Sequence, residues 1–587
     1  MKNFIKMTLA AMLGFFIVGI ILLFLTVGII GSIASFSSGK PSMPREAVLR
    51  IDMSEFAIAE QTREADPVAS LRGNAKDEFG ILTAIRAIDA ASEDPAVKFI
   101  YLKPDGVSGG MAGIEEFRNA LKKFRMSGKA VVAFTSFPTN GSYYLASAAD
   151  KIYLADYKGG SNMLTGFSSQ IYYLKDILDK LGVNVQLIRH GKYKSAGEMY
   201  IRNSASAENR EQYQTLLNSV WGAWSDEIAE SRGMTPEQFN SLIDDLSLNN
   251  PQDLLENGLV DGLLTREELQ DKLCALCGVK KIEDAKQISL ADYASLKVLP
   301  NYRAKEKIAI IYADGSIIDG NEKTEVAGDR FASIIADVRK DSSVRAVVFR
   351  VNSPGGSVVA SDKIKTEIDL LKAVKPVVAS YGNYAASGGY WISNSCDRIF
   401  SDASTLTGSI GVFSIIPDLS GTYKKIGINV THINSNAHGD MYTGSRALDT
   451  AELAYMQKSV DDIYDTFTSI VAEGRGLEQS YVDEIAQGRV WAGTDALSLG
   501  LVDEIGGLDA ALGYAAMQAG TDLAKTMIAE YPKPLTMIEQ LLLDAFGQEA
   551  SVFAGTPLEK AEKLFGKWDA SRTGEVFARL PYEITVE

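Results

Sequence analysis

Histidine and cysteine are scarce in this chain, three of each among 587 residues. So few cysteines supply no disulfide framework, and Cys274 and Cys277 form a lone CxxC without a second pair or a nearby histidine, which argues against zinc. The pair reads as two helix-packing cysteines, with a disulfide in an exported protein as the alternative, and Cys396 as a small buried hydrophobe. Basic charge is not in excess either. With 59 Lys and Arg against 75 Asp and Glu, the net charge of -16 speaks against nucleic-acid partners, whose phosphates are held by clustered cations. Long uncharged runs are missing as well, with one exception, "MTLAAMLGFFIVGIILLFLTVGIIGSIASF" from Met7 to Phe36. Roughly 20 such residues cross a hydrocarbon core, and a cleaved signal peptide has a shorter apolar stretch. Residues 1–45 are therefore expected to form a cytoplasmic stub and an uncleaved transmembrane anchor. The lysines before the run stay cytoplasmic, so the body should lie on the extracytoplasmic, periplasmic side of the inner membrane after a single pass.

What is present is ample core material, 46% apolar against 23% charged residues, in a chain too long for one hydrophobic core. The chain also repeats itself. "IRAIDAASEDPAVKFIYLKPDGVSGGMAGIEEF" from Ile85 resembles "ASIIADVRKDSSVRAVVFRVNSPGGSVVASDKI" from Ala332, and "NGSYYLASAADKIYLAD" from Asn140 lies over "SGGYWISNSCDRIFSDA" from Ser387. Both alignments hold one offset of 247 (341 − 94 and 387 − 140). Each half alternates β-branched runs such as "KIAIIYADG" and "AVVFRV" with helical patterns such as "DKIKTEIDLLKAV", the order that produces crossover units and a mainly parallel sheet. Long helices ending in Arg-Gly are predicted in both halves, "ENREQYQTLLNSVWGAWSDEIAESRG" and "AELAYMQKSVDDIYDTFTSIVAEGRG". The expected units are an α/β repeat over 46–300, a second over 301–548, and a tail at 549–587 that matches nothing in the first half.

The second half places Ser387 in "YAASGGYWIS", just after the apolar "PVVAS". Small neighbours let a nucleophile stand clear at a turn while a substrate backbone approaches, although Ser-Gly-Gly also suits a plain packing point at a helix start. In "RVNSPGGSV" Gly355 and Gly356 follow a strand, where backbone amides can point into a cavity, and the amide of Gly388 directly follows the serine. Such donors suit a developing oxyanion, and losing one typically costs about 3 to 4 kcal/mol of transition-state stabilisation.

A serine hydroxyl needs a base. A conventional triad would have to bring His190, His432 or His438 to Ser387; the other route is a desolvated lysine whose pKa falls toward neutrality. The first half offers Lys192 and Lys194 in "RHGKYKSAGEMY", and its counterpart "AHGDMYTGSRAL" puts Tyr442 where Lys194 stands. Conversely, the first half has Asn140 where the second has Ser387. One half keeps a lysine, the other a serine, as in one composite site surviving from two. The plain alternative is that Lys194 pairs with Glu198 four residues on.

Together "YAASGGYWIS", "RVNSPGGSV", "TGSIGV" and "GKYKSAGE" resemble the signal peptide peptidase A (protease IV) family in its long, two-repeat, membrane-anchored form, over about Val48 to Leu512. The resemblance implies a Clp-protease/crotonase fold and a Ser/Lys-dyad endopeptidase that degrades cleaved signal peptides and other short apolar peptides. It makes Ser387 the nucleophile, Lys194 the general base, and Ser409 of "TGSIGV" a lysine-orienting group, with Phe167 at that place in the first half. It implies a homotetramer around a hydrophobic cavity, suited to apolar peptides near a bilayer, and chemistry without a metal, nucleotide or other cofactor. Met199 stands where the family pattern expects a proline. Competing expectations are a crotonase-like acyl-CoA enzyme, which shares the glycine geometry, and an inactive membrane-tethered scaffold.

Overall fold

In the computed structural model the described residues are 41–63, 76–535 and 576–579, with the isolated residues 7, 14, 18 and 539. The anchor expected over 1–45 thus falls almost wholly outside them, and among the described residues no helix is long and apolar enough to cross a membrane.

Each half builds its own sheet, and the second contains the six-strand order of the first. In the first the neighbours run Gly262–Leu264, Lys151–Ala155, Val131–Thr135, Val97–Lys103, Ala47–Asp52 and Gln287–Ser289, all parallel. In the eight-stranded second sheet six strands repeat this order in parallel, Glu504–Ile505, Arg398–Ser401, Val377–Ala386, Val344–Ser353, Lys307–Asp314 and Met527–Tyr531, while the end of Val377–Ala386 also pairs with Leu406–Gly408, which carries Val490–Ala492 antiparallel on its far side. Parallel pairing follows from the connections: the chain leaves Lys307–Asp314, returns through the helix Gly328–Lys340, and re-enters the sheet at Val344–Ser353.

Helices cover both faces of such a sheet, so its strands are apolar throughout. In Lys307–Asp314 the residues Ala309, Ile311 and Ala313 face one core, packed with Phe331 and Ile335 of the crossover helix. Ile308, Ile310 and Tyr312 face the other, which they share with Ile85 and Ile88 of the first half. The repeats are therefore fused through one continuous core. The long helices Ala207–Arg232 and Thr450–Arg475 end where the Arg-Gly pairs predict, at Gly233 (φ 67°) and Gly476 (φ 64°), whose left-handed conformation closes the last turn. All three cysteines are free and buried, Cys274 and Cys277 in the helix Arg266–Cys277.

A third sheet breaks the tandem arrangement. Its order is Val326–Ala327, Ile317–Ile318, Gly355–Ser357, Phe577–Arg579, Phe413–Asp418 and Asn184–Arg189. The last strand belongs to the first half by sequence, yet it pairs antiparallel with Phe413–Asp418 of the second, from Phe413↔Arg189 to Asp418↔Asn184. Phe577–Arg579, from the stretch expected to be an unmatched tail, lies inside this sheet.

Candidate active site

Ser387 sits at the joint between the strand Val377–Ala386 and the short helix Gly388–Trp391. Its backbone, φ 55° and ψ −113°, occupies a region that side chains other than glycine avoid at a cost of about 1 to 3 kcal/mol. The joint is pinned on both sides: Ser387 N–H donates to the Gly408 carbonyl at 2.8 Å, and Trp391 N–H to the Ser387 carbonyl at 2.8 Å. The glycines that follow are needed for space, since a Cβ on Gly389 would stand 2.5 Å from the Ser353 carbonyl oxygen.

The antiparallel pair Asn184–Arg189 with Phe413–Asp418 carries the first half's loop into this region. Lys194 Nζ lies 2.8 Å from Ser387 Oγ, 3.0 Å from Ser409 Oγ and 3.0 Å from the Ser409 carbonyl oxygen. Lys194 and Ser387 are both 0% exposed. All three neighbours of the amine are neutral oxygens, so no carboxylate offsets its lost hydration, and burial holds its pKa well below the usual lysine range. Ser409 is itself in the left-handed region (φ 50°), fixed by its N–H to the Arg489 carbonyl at 2.7 Å.

Glu198 is engaged elsewhere. It accepts from Arg189 Nη1 at 3.2 Å and from Ser206 N–H at 3.2 Å, while Arg189 Nη1 also holds the Lys194 carbonyl at 2.8 Å. The carboxylate thus shapes the lysine's loop without touching its amine. Met199 lies in the short helix Glu198–Ile201, and its carbonyl takes the Leu174 N–H at 2.7 Å. Lys192 is exposed, its amine 5.1 Å from the Tyr193 ring centroid. The histidines are spent on carboxylates: His190 on Asp461 at 2.7 Å, His432 on Asp440 at 3.0 Å and His438 on Glu452 at 2.9 Å.

Gly355, Gly356 and Gly388 converge beside the serine. The Gly355 amide donates to Ser353 Oγ at 3.2 Å, so this residue supplies its left-handed turn (φ 96°) while its N–H stays within the loop. A Cβ on Gly355 would stand 2.6 Å from the Gly388 nitrogen and overlap the Ala578 carbonyl oxygen. A Cβ on Gly388 would stand 3.0 Å from both the Gly356 nitrogen and that same oxygen. The nitrogens of Gly356 and Gly388 thus lie close to one another, with the Ala578 carbonyl oxygen next to this turn.

Sequence reasoning did not single out several residues that shape the site. Gly488 and Gly411 line the lysine stem, where a Cβ would come within 2.6 Å of Lys194 Cβ and 3.3 Å of Lys194 Cδ respectively. Arg350, at the start of the glycine motif, is buried and bonded to Glu60 at 2.6 Å, Glu116 at 2.6 Å and Ser380 Oγ at 2.9 Å. Both acids come from the first half, so an ion network between the repeats braces the strand that leads into Ser353 and Gly355. An arginine inside the apolar run "AVVFRV", two residues before "NSPGG", was the available signal.

Comparison with known proteins identifies the family. The pattern described as Peptidase family S49 matches residues 123–280 and 369–522, one stretch in each repeat. Protease 4 of Haemophilus influenzae is 36% identical over 82% of this chain and 81% of its own length. Protease 4 of Salmonella typhi is 37% identical over 75% and 72% respectively. The chloroplastic serine protease SPPA of Arabidopsis thaliana is 32% identical over 77% and 68%.

Proposed function

This chain belongs to peptidase family S49 and is a serine peptidase, and from that premise we propose that Ser387 and Lys194 form its catalytic dyad. The observation that carries the reading is the 2.8 Å approach of a buried, uncompensated amine to a buried serine hydroxyl. With its pKa lowered by burial, Lys194 frees its lone pair at a lower pH than an ordinary lysine and takes the Ser387 proton as Oγ attacks a peptide carbonyl. The oxyanion forms beside the amides of Gly356 and Gly388, at the turn set by Gly355. Lys194 then protonates the leaving amine, and water, deprotonated by the same lysine, hydrolyses the acyl-enzyme. Ser409 orients the amine through its two oxygens.

The substrates proposed are cleaved signal peptides and other short apolar peptides, bound extended. The uncharged run from Met7 to Phe36 supports anchoring in the inner membrane with the catalytic body on the periplasmic side, close to such peptides. A homotetramer would enclose the sites, as the family resemblance implies. The test is labelling with a serine-directed phosphonate followed by peptide mapping. Label on Ser387, lost in Ser387→Ala and Lys194→Met, supports the dyad; label elsewhere, or full labelling without Lys194, defeats it.

A further inference from the structure

Glu115 lies at the seam between the repeats, 4% exposed on the helix Met111–Arg125 of the first. A buried carboxylate is costly unless donors surround it, and here one turn of the second repeat supplies them. Glu115 Oε1 accepts from Ala403 N–H at 2.9 Å, while Oε2 accepts from Ser404 N–H at 3.1 Å and from the Ser404 hydroxyl at 2.7 Å. The adjacent Glu116 takes Arg350, so neighbouring carboxyls of one helix reach two segments of the other repeat.

The turn held by Glu115 leads directly into the proposed chemistry. Five residues after Ser404 comes Ser409 (409 − 404), whose two oxygens hold the Lys194 amine. Between them runs the strand Leu406–Gly408, paired in parallel with the end of Val377–Ala386, and the Gly408 carbonyl takes the Ser387 N–H. Two hydroxyls stitch this segment to its neighbour: Thr405 Oγ1 donates to the Gly382 carbonyl and Thr407 Oγ1 to the Ala385 carbonyl, each at 2.7 Å. A displacement at Ala403 and Ser404 is thus passed along a short, hydrogen-bonded piece of chain to both reacting side chains.

The reverse contact is missing. By the offset of 247 the equivalent of Glu115 is Asp362 (115 + 247), on the helix Val358–Lys372, and it is exposed. Asp156, the equivalent of Ala403 (403 − 247), is exposed as well. At these positions the buried carboxylate is present only toward the repeat that carries the serine.

We propose that Glu115 is a positioning residue for the reaction of Ser387 and Lys194: it anchors the turn at Ala403 and Ser404, and through it the Gly408 carbonyl and the Ser409 oxygens that hold the two reacting side chains. The proposal rests on the peptidase reading above. Without the carboxylate, three buried donors lose their acceptor and the segment shifts to find others. Misplacing a reacting group by about 1 Å can cost about 10²-fold in rate.

The test is hydrolysis of a fluorogenic apolar peptide by the detergent-solubilised full chain, with working sites counted by labelling Ser387 with a serine-directed phosphonate. Glu115→Ala should lose about 10²-fold in kcat per labelled site with KM within about twofold of wild type. Glu115→Gln, which keeps one acceptor oxygen, should lose only about tenfold, and the exposed Asp362→Ala should match wild type. Fewer labelled sites, each turning over at the wild-type rate, would make Glu115 a structural part only and overturn the proposal, as would an unchanged kcat. Ser404→Ala removes one of the three bonds and leaves the backbone intact, so it tests the same path if Glu115→Ala does not fold. Its kcat per site should fall about two- to tenfold at constant KM, and wild-type turnover would overturn the proposal. If the wild-type chain takes no label at Ser387, the dyad falls and this proposal with it; label on Ser387 with unaffected Glu115 variants defeats this proposal alone.

Discussion

The two repeats place the same turn in opposite states. In the first, Asn140 opens the helix Asn140–Ala146 behind a relaxed cap, Thr139, with φ −111° and ψ 171°. The Asn140 side chain is consumed by its own loop, donating to the Gly166 carbonyl at 2.9 Å and accepting from Thr165 N–H at 3.1 Å. In the second, Ser387 holds a strained φ of 55° and spends its hydroxyl on Lys194. The glycine turns diverge likewise. A Cβ on Gly110 would overlap the Asn383 side chain, whose Oδ1 accepts from Ala112 N–H at 3.0 Å, so a residue of the second repeat plugs the first repeat's cleft. Backbone strain survives where chemistry is proposed and has relaxed away in the copy without the serine, and the two clefts are filled by different segments, Asn383 in the first and the Ala578 backbone in the second.

Substitutions that cross this boundary should differ most. Ser387→Ala should lower peptide turnover by on the order of 10⁴-fold or more, since no acyl-enzyme can form. Asn140→Ala should leave turnover within about a factor of three, because no reacting atom touches it. A large loss in the second variant would mean that both clefts work.

Lys194→Met should cost about 10² to 10⁴-fold in turnover, the range of a lost general base. Its stability should move the other way. Because burial lowers the folded-state pKa of Lys194, the unfolded chain binds more protons between that value and the ordinary one near 10.4, so wild-type stability rises with pH across that window. Below the folded pKa the penalty is present in full. Met removes it, so the melting temperature of Lys194→Met should exceed that of wild type most at low pH, and the two should converge as pH rises. In the wild type, kcat/KM should rise with pH through the same lowered pKa as the amine loses its proton. Equal melting curves at every pH would show that the amine is solvated.

Smaller effects sharpen the picture. Ser409→Ala removes one hydrogen bond to the amine, worth about 0.5 to 1.5 kcal/mol, so turnover should fall about two- to tenfold with the same pH dependence. Ser387→Gly and Ser387→Ala should be equally inactive, yet urea unfolding should show the glycine variant more stable by about 1 kcal/mol, because glycine reaches φ 55° without strain. No difference would place the strain elsewhere.

Much of the architecture is legible from the sequence because it follows from local periodicity. The β-branched runs of Lys307–Asp314 and Val344–Ser353, the helix between them and the Arg-Gly stops each report their own conformation. The offset of 247 residues carried the duplicated strand order, and the exchange of Ser387 for Asn140 and of Lys194 for Tyr442 directed attention to one pair of side chains. Pairing between distant strands leaves no such trace. Asn184–Arg189 carries no mark that its partner is Phe413–Asp418 in the other half, and Phe577–Arg579, at three residues, is too short for any periodic pattern. The part played by the Gly355 amide also lay beyond spacing, since it depends on where Ser353 Oγ points.

The interlocked third sheet makes the two halves mutually dependent. With Asn184–Arg189 lying against Phe413–Asp418, removing either half strips the other of a strand partner.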